Sequence, residues 1–405
     1  MNVFILAWRN LWRNKRRTLL TLAAVFMAVF FSSFMTGMQE GTYSKMIDNI
    51  VKFYSGYIQI HQKNYWETKS INDIFTPTDS LYQTVNSVEG ITRYTARLES
   101  YSLISSGENT KGAAIMGVDP KKENAITNLS HWVDKGKYLT ADDNGVLIAV
   151  NLAKNLEVGV GDTLTLLSQG YHGMSAYGIY PVRGILKFPN PELNNMAVYM
   201  TLHNAQNFFS APDMASSIVI MVDNYNKVDR INKTLNSKLG SEYSSMTWDE
   251  MQPEIVQMIE GDRAGGVIMK AILYILIGFT IFGTVIMMIN ERLKEIAITV
   301  AVGMQKYKVQ LMLFFETVII AFLGVLTGFL ISFPALTILK HHPIPLSGEL
   351  AKAYSSYGLE PAMFFSTIPR VFTNQVIIVF IITLVVYFYP LFKIYFLNII
   401  KSLRA

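Results

Sequence analysis

The sequence predicts a membrane α-helical protein with four transmembrane helices and one large mixed α/β extracytoplasmic domain between the first and the second. Three observations carry this prediction. Of the 405 residues, 51% are hydrophobic and only 16% charged, against about 25% charged in a typical soluble domain. The missing charge is concentrated in four apolar runs: Thr18–Gly37, Ala271–Asn290, about Val309–Leu339, and Val376–Phe392. At 1.5 Å per helical residue, about 20 residues cross a hydrocarbon core of about 30 Å. Finally, residues 38–270 contain 20 basic and 25 acidic side chains, so the chain's net +5 belongs wholly to the membrane part. That distribution removes the hint of nucleic acid that a basic protein otherwise carries.

The basic residues beside the spans set the orientation, because Lys and Arg stay on the cytoplasmic side. Residues 1–17 carry Arg9, Arg13, Lys15, Arg16 and Arg17 and no acid. The loop after the second span carries Arg292, Lys294, Lys306 and Lys308, and the tail carries Lys393, Lys401 and Arg404. Both termini are therefore expected in the cytoplasm, with the large domain on the outer side of the membrane. The first span is expected to be retained, since its apolar stretch exceeds that of a signal peptide and no cleavage site follows. Phe4, Trp8, Leu11 and Trp12 fall on one side of a helix, opposite Arg9, Arg13 and Arg16. Such a segment lies in the interface, either as an anchor or as an elbow that passes motion into the first span.

Between the spans, residues 38–270 read as a soluble module with stalk extensions, Met38–Val51 and Met251–Lys270. Alternating apolar runs punctuated by Gly, Pro, Asn and Asp predict strands at Gly56–Ile60, Gly145–Val150, Asp162–Leu167, Tyr180–Leu186, Ala197–Thr201 and Ser217–Val222. Helices are expected at Leu152–Leu156, His203–Phe209 and Lys227–Leu239. The pattern suggests a β-rich part, 131–210, inserted into an α+β part formed by 43–130 and 211–250. Ser168–Ile179 reads as a Gly-rich loop offering Tyr171, His172, Met174 and Tyr177, either as an adaptable contact surface or as a plain hairpin tip.

Chemistry is sparse. With no cysteine, disulfides, Cys-ligated metals and thiolate nucleophiles are excluded. The six histidines make no metal-binding spacing. Gly107–Gly112 has the glycine spacing of a phosphate loop, but Ala113 stands where Lys is required. No nucleotide site or cofactor is expected in this chain. The informative polar segment is 291–308, read as a short interfacial helix ended by Gly303 and followed by the third span at 309. It is either an ordinary connector or a partner dock presenting Glu291, Arg292, Lys294 and Glu295. Within the third span Glu316 must be paired or face protein, and Gly324 and Gly328 form G-x-x-x-G, which permits close helix approach. Pro334 and Pro390 predict kinks. An outer loop is expected at 340–375, and a cytoplasmic tail at 393–405.

At these residues the sequence resembles the four-helix ABC permeases that include lipoprotein-releasing (Lol-type), macrolide-exporter (MacB-type) and FtsX-type proteins. The family pattern E-R-x-x-E-I, then A-x-G, then a Glu and two glycines is carried by Glu291, Arg292, Glu295, Ile296, Ala301, Gly303, Glu316, Gly324 and Gly328. Ala7–Thr18, Gly117–Pro120, Leu152–Ala153 and Val160–Asp162 add to the likeness. The resemblance implies a non-catalytic permease subunit that pairs with a second permease chain, as homo- or heterodimer, through helices one and two. Two copies of a separate ATPase holding ATP and Mg would dock on 291–308, and their closure would be passed mechanically to the outer domains. Lipoprotein extraction, handing cargo to a periplasmic carrier, is the leading expectation. Export of a peptide, macrolide or other amphiphile, and FtsX-like signalling to a cell-wall hydrolase, are the alternatives. A fused N-terminal ATPase is not expected with 17 residues ahead of the first span.

Overall fold

Among the described residues, four helices are long and apolar enough to cross a membrane. The computed structural model describes residues 3–13, 15–356 and 360–396; Lys401, Arg404 and the side chain of Arg17 lie outside these. The chain divides into two units. One comprises Met1–Lys45, Met258–Pro345 and Ala362–Ala405, the other Met46–Gln257 with Leu346–Pro361.

In the first unit an amphipathic helix, Val3–Arg13, buries Ala7 and Leu11. The first span belongs to helix one, Lys15–Ile50, and the second to helix two, Pro253–Ala301. Helix three, Lys306–His341, contains Pro334, and helix four, Pro369–Tyr395, contains Pro390. Helices one and two thus run 36 and 49 residues without a break, well beyond the about 20 that a bilayer needs. Val25, Ala28 and Val29 of helix one pack with Ile281, Val285 and Ile289 of helix two, Val325 of helix three and Val379 of helix four. Ile344–Pro345 pairs with Ala362–Met363 as a two-residue ladder.

The second unit is built on one sheet of ten strands: β1 (Ile58–Gln62), β2 (Ile91–Ser106), β3 (Asn109–Val118), β4 (Val133–Gly136), β5 (Val146–Ala149), β6 (Thr163–Gln169), β7 (Ser175–Leu186), β8 (Ala197–Thr201), β9 (Ser217–Val222) and β10 (Tyr243–Thr247). The order is β10-β1-β9-β2-β3-β8-β5-β7-β4, and β6 pairs with both β2 and β7. Those two extra ladders close β2, β3, β8, β5, β7 and β6 into a ring, which leaves none of the six with an open edge along the closed stretch. Ile104, Ile115, Ile148, Leu164, Leu166, Ala176, Val182 and Val198 fill it.

Closure corrects the expected division at 131–210. Strands β2 and β3, which precede residue 131, share one barrel and one core with β5 to β8. β2 makes this possible: its 16 residues pair with β9 over Ile91–Arg97 and with β6 over Leu103–Ser105. On the β9 side, β1, β9 and β10 form an open wing whose core, including Ile58, Ile60, Ile218 and Ile220, is capped by the helices Asp79–Asn86 and Val228–Lys238.

Candidate functional site

The 291–308 segment is not a separate interfacial helix. Helix two continues through Ala301, Gly303 adopts a left-handed φ of 109°, and helix three starts at Lys306. Only Val302–Gln305 forms the turn. The helix persists because Glu291–Ala301 contains no Gly or Pro and is rich in good helix formers, and because Arg292 and Glu295 are paired. Helical periodicity sorts the motif into two faces. Arg292 and Ile296 point inward; Glu291, Lys294, Glu295, Ala301 and Gly303 are exposed.

Arg292 was expected at the dock and lies elsewhere. Its Nη1 donates to Glu316 Oε2 at 2.9 Å and its Nη2 to the Asn10 carbonyl at 3.2 Å, with side-chain exposures of 6% for Arg292 and 0% for Glu316. A carboxylate in an apolar span is tolerated only when neutralised in place, so Glu316 draws Arg292 inward. Ile296 is likewise internal, packed with Val309, Leu313, Tyr387 and Ile394. On the outside Arg13 pairs with Glu295. The amphipathic helix, helix two and helix three are thus joined at Asn10, Arg292 and Glu316. The exposed end offers Ile298, Val302 and Tyr307 beside Lys294 and Lys308. Val302 is 83% exposed. These three residues escaped the sequence reading, although an apolar residue next to a helix-ending glycine was a usable signal.

Gly324 and Gly328 pack as their spacing suggests. A Cβ on Gly324 would lie 2.7 Å from Val25, and one on Gly328 2.7 Å from Val29, so helix three lies directly on helix one. Helix one has a second such pair. A Cβ on Gly41 would fall 2.4 Å from the Phe365 backbone, and Ser366 N donates to the Gly37 carbonyl at 2.8 Å. Gly37-x-x-x-Gly41 was legible as a motif, but its occupant, an extended segment after Met363, was not.

The expected loop 168–179 is mostly strand. β6 runs to Gln169 and β7 starts at Ser175, leaving a short tip that holds Tyr171, His172 and Met174. Tyr177 is on β7, directly opposite Leu167. Tyr171 packs toward the barrel core, whereas Met174 and Tyr177 are exposed. They are joined on the outer wall by Tyr101, Leu103, Leu167 and Ile179, all more than half exposed.

Arg97 and His61 are two of the polar side chains buried in the second unit. Arg97 is held by both oxygens of Glu123, at 2.9 and 2.8 Å, with Glu99 at 3.4 Å. His61 stacks on Tyr65 and bonds Gln59 Oε1 through Nε2 at 2.8 Å; burial, with help from Lys69, lowers its pKa to about 3. No three His, Asp or Glu side chains gather as a metal site among the described residues.

Comparison with known proteins gives matches along most of the chain. Residues 18–238 match the MacB-like periplasmic core domain and residues 267–399 the FtsX-like permease C-terminal domain. The lipoprotein-releasing system transmembrane protein LolE of Haemophilus influenzae is 22% identical over 213 residues, covering 50% of this chain and 50% of that protein. The chain thus spans about half the length of this curated relative. Among solved structures, the periplasmic region of MacB from Actinobacillus actinomycetemcomitans aligns with 53% of this chain and 98% of its own, at 16% identity and a TM-score of 0.36. The extracellular domain of the noncanonic ABC-type transporter YknZ from Gram-positive bacteria aligns with 47% of this chain and 99% of its own, at 14% identity and a TM-score of 0.34.

Proposed function

This chain belongs to the MacB/FtsX-type family of ABC-transporter permeases, and from that premise we propose that it is the membrane subunit of a complex that extracts lipoproteins from the bacterial inner membrane. Family members work with ATPase subunits and dimerise. In this reading two ATPase copies, holding ATP and Mg, dock at the exposed end of helix two and the Val302–Gln305 turn on the cytoplasmic side. The observation that carries it is the form of that end: an ordered turn between two membrane helices, presenting Val302 at 83% exposure between Lys294 and Lys308.

Force applied there enters a connected assembly. Arg292 and Glu316 link helix two to helix three, and the glycine contacts link helix three to helix one, so a push on one helix is passed to the others. Helices one and two each continue unbroken into residues of the outer unit, which gives displacement a continuous hydrogen-bonded path out of the membrane. Cargo then moves by mechanical rearrangement, with no covalent step in this chain. Support for lipoprotein as the cargo is the LolE likeness. The MacB-like match over 18–238 favours a second reading, export of a peptide, macrolide or other amphiphile.

The docking assignment is tested by co-purifying the ATPase with Val302→Asp and with Glu291→Lys/Lys294→Glu. Both should lose the ATPase while keeping the permease folded in detergent. Retention of the ATPase by both variants would overturn the assignment.

A further inference from the structure

We infer that the bare outer face of β2, β6 and β7 packs against the same face of a second copy of this chain. The inference rests on the reading that the permease works in pairs, and it adds a contact outside the membrane spans to that pairing.

The register defines the surface. Leu103 is opposite Leu167 and Leu167 opposite Tyr177, giving one row of three apolar side chains across three strands. In the next row Ser105 faces Thr165 and Thr165 faces Ile179. Tyr101 and Met174 extend the patch, which contains no charged residue. Alternation places Leu164, Leu166 and Ala176 in the barrel core and leaves Thr165, Leu167, Tyr177 and Ile179 outside.

Elsewhere the outer wall is covered. On the same strand, Arg97 lies beneath the helix Pro120–Thr127 through Glu123. Met116, Leu147, Ala149, Ala197 and Tyr199 form a second core with Leu129 and Leu193. The covering stops before Tyr101, and from there to Ile179 the wall is open. Six large apolar side chains between 52% and 63% exposed leave roughly 600 Å² bare, at the top of the range for the largest apolar patch on a monomer and about three quarters of the ~800 Å² that each partner contributes to a standard interface.

An uncharged antiparallel face can be covered by another sheet face, the packing that two sheets adopt at about 10 Å. A second copy supplies a face of equal width and equal apolarity, and a two-fold axis through β6 makes the contact self-complementary. No charge is buried on either side. Residues 38–270 carry net −5, so two copies repel at long range, and salt that screens this repulsion should strengthen the contact.

The absence of native cysteine makes the test direct. Thr165→Cys in the otherwise unchanged full-length chain places one thiol on the middle strand of the patch, one row from Leu167. A short bis-maleimide should link it to itself in membranes, with a yield that rises with salt. Adding Leu167→Asp should lower that yield at least fivefold, and Lys233→Cys, on the exposed side of a wing helix, should give none. Co-purification of two differently tagged copies reads the underlying pairing separately. If the tagged copies co-purify but Thr165→Cys does not link to itself, the inference fails and the pairing stands. Linkage of Thr165→Cys to a different polypeptide overturns it too. If the tagged copies do not co-purify, homodimeric pairing falls and the inference falls with it.

Discussion

Among the described residues two arginine–glutamate pairs are buried, and they are built differently. In the outer unit Arg97 meets Glu123 fork to fork, with both carboxylate oxygens engaged and Glu99 nearby. In the membrane unit Arg292 donates to Glu316 Oε2 through Nη1 and to the Asn10 carbonyl through Nη2. Glu316 Oε1 has no hydrogen-bond partner among the described residues. A saturated pair fixes one geometry, because any displacement breaks a buried hydrogen bond. A pair with an acceptor to spare can exchange contacts as its helices shift. The first arrangement suits a rigid sheet, and the second suits a junction between moving helices.

Removing one partner should separate the two most clearly. Arg97→Ala leaves Glu123 buried without its fork, and the outer unit should lose about 3–5 kcal/mol, seen as faster hydrogen exchange across β2 and β9. Arg97→Met with Glu123→Leu should restore most of the protection, since an apolar pair of similar size carries no desolvation cost. If Arg292→Met with Glu316→Leu restores detergent stability equally well but impairs ATP-coupled function, the contrast between a static and a mobile pair is sharpened. Unimpaired coupling would break it.

The membrane junction also depends on backbone approach. Gly324→Leu or Gly328→Leu would drive a side chain into Val25 or Val29, and should lower stability in detergent by about 1–3 kcal/mol. Gly283→Ala, where a Cβ meets nothing within 4 Å, should leave it unchanged. In the outer unit His61 is buried neutral with its pKa depressed to about 3, against about 6.5 when unfolded. Its contribution is intact above the unfolded value. As pH falls from about 6.5 toward 3, the unfolded state takes up the proton first, and stability should decline by up to about 1.4 kcal/mol per pH unit. His61→Gln should flatten that part of the pH profile measured by thermal unfolding. The smallest effect belongs to the exposed Arg13–Glu295 pair, where Arg13→Ala should cost about 0–1 kcal/mol.

The four spans were legible because uncharged runs of this length admit little else, and six strands and three helices of the outer unit fall close to where alternation placed them. What failed was whatever depends on distant partners. Helix two was expected to stop at its first charges, but Arg292 is neutralised by Glu316, 24 residues away, so the charge does not end the helix. The hairpin looked like a loop because Gly170, Gly173 and Gly178 masked the alternation of Ala176 inward with Tyr177 and Ile179 outward. Ring closure rests on three β2–β6 residue pairs 60 to 64 positions apart, which no local pattern carries. The exposed face of the 291–303 motif was half legible for the same reason: the motif marked a turn of helix, and only the fold showed that Arg292 and Ile296 face in while Glu291, Lys294 and Glu295 face out.

ATP-dependent release of cargo by the reconstituted complex tests the central claim most directly. This chain, its ATPase and an acylated lipoprotein would be placed in proteoliposomes, and the lipoprotein delivered to a soluble carrier would be measured. The expected result is release that requires ATP and is abolished by Val302→Asp, with the non-acylated form of the same protein left behind. Absence of release with every acylated lipoprotein tried, while the complex pumps a peptide or macrolide under the same conditions, would contradict lipoprotein extraction as the function.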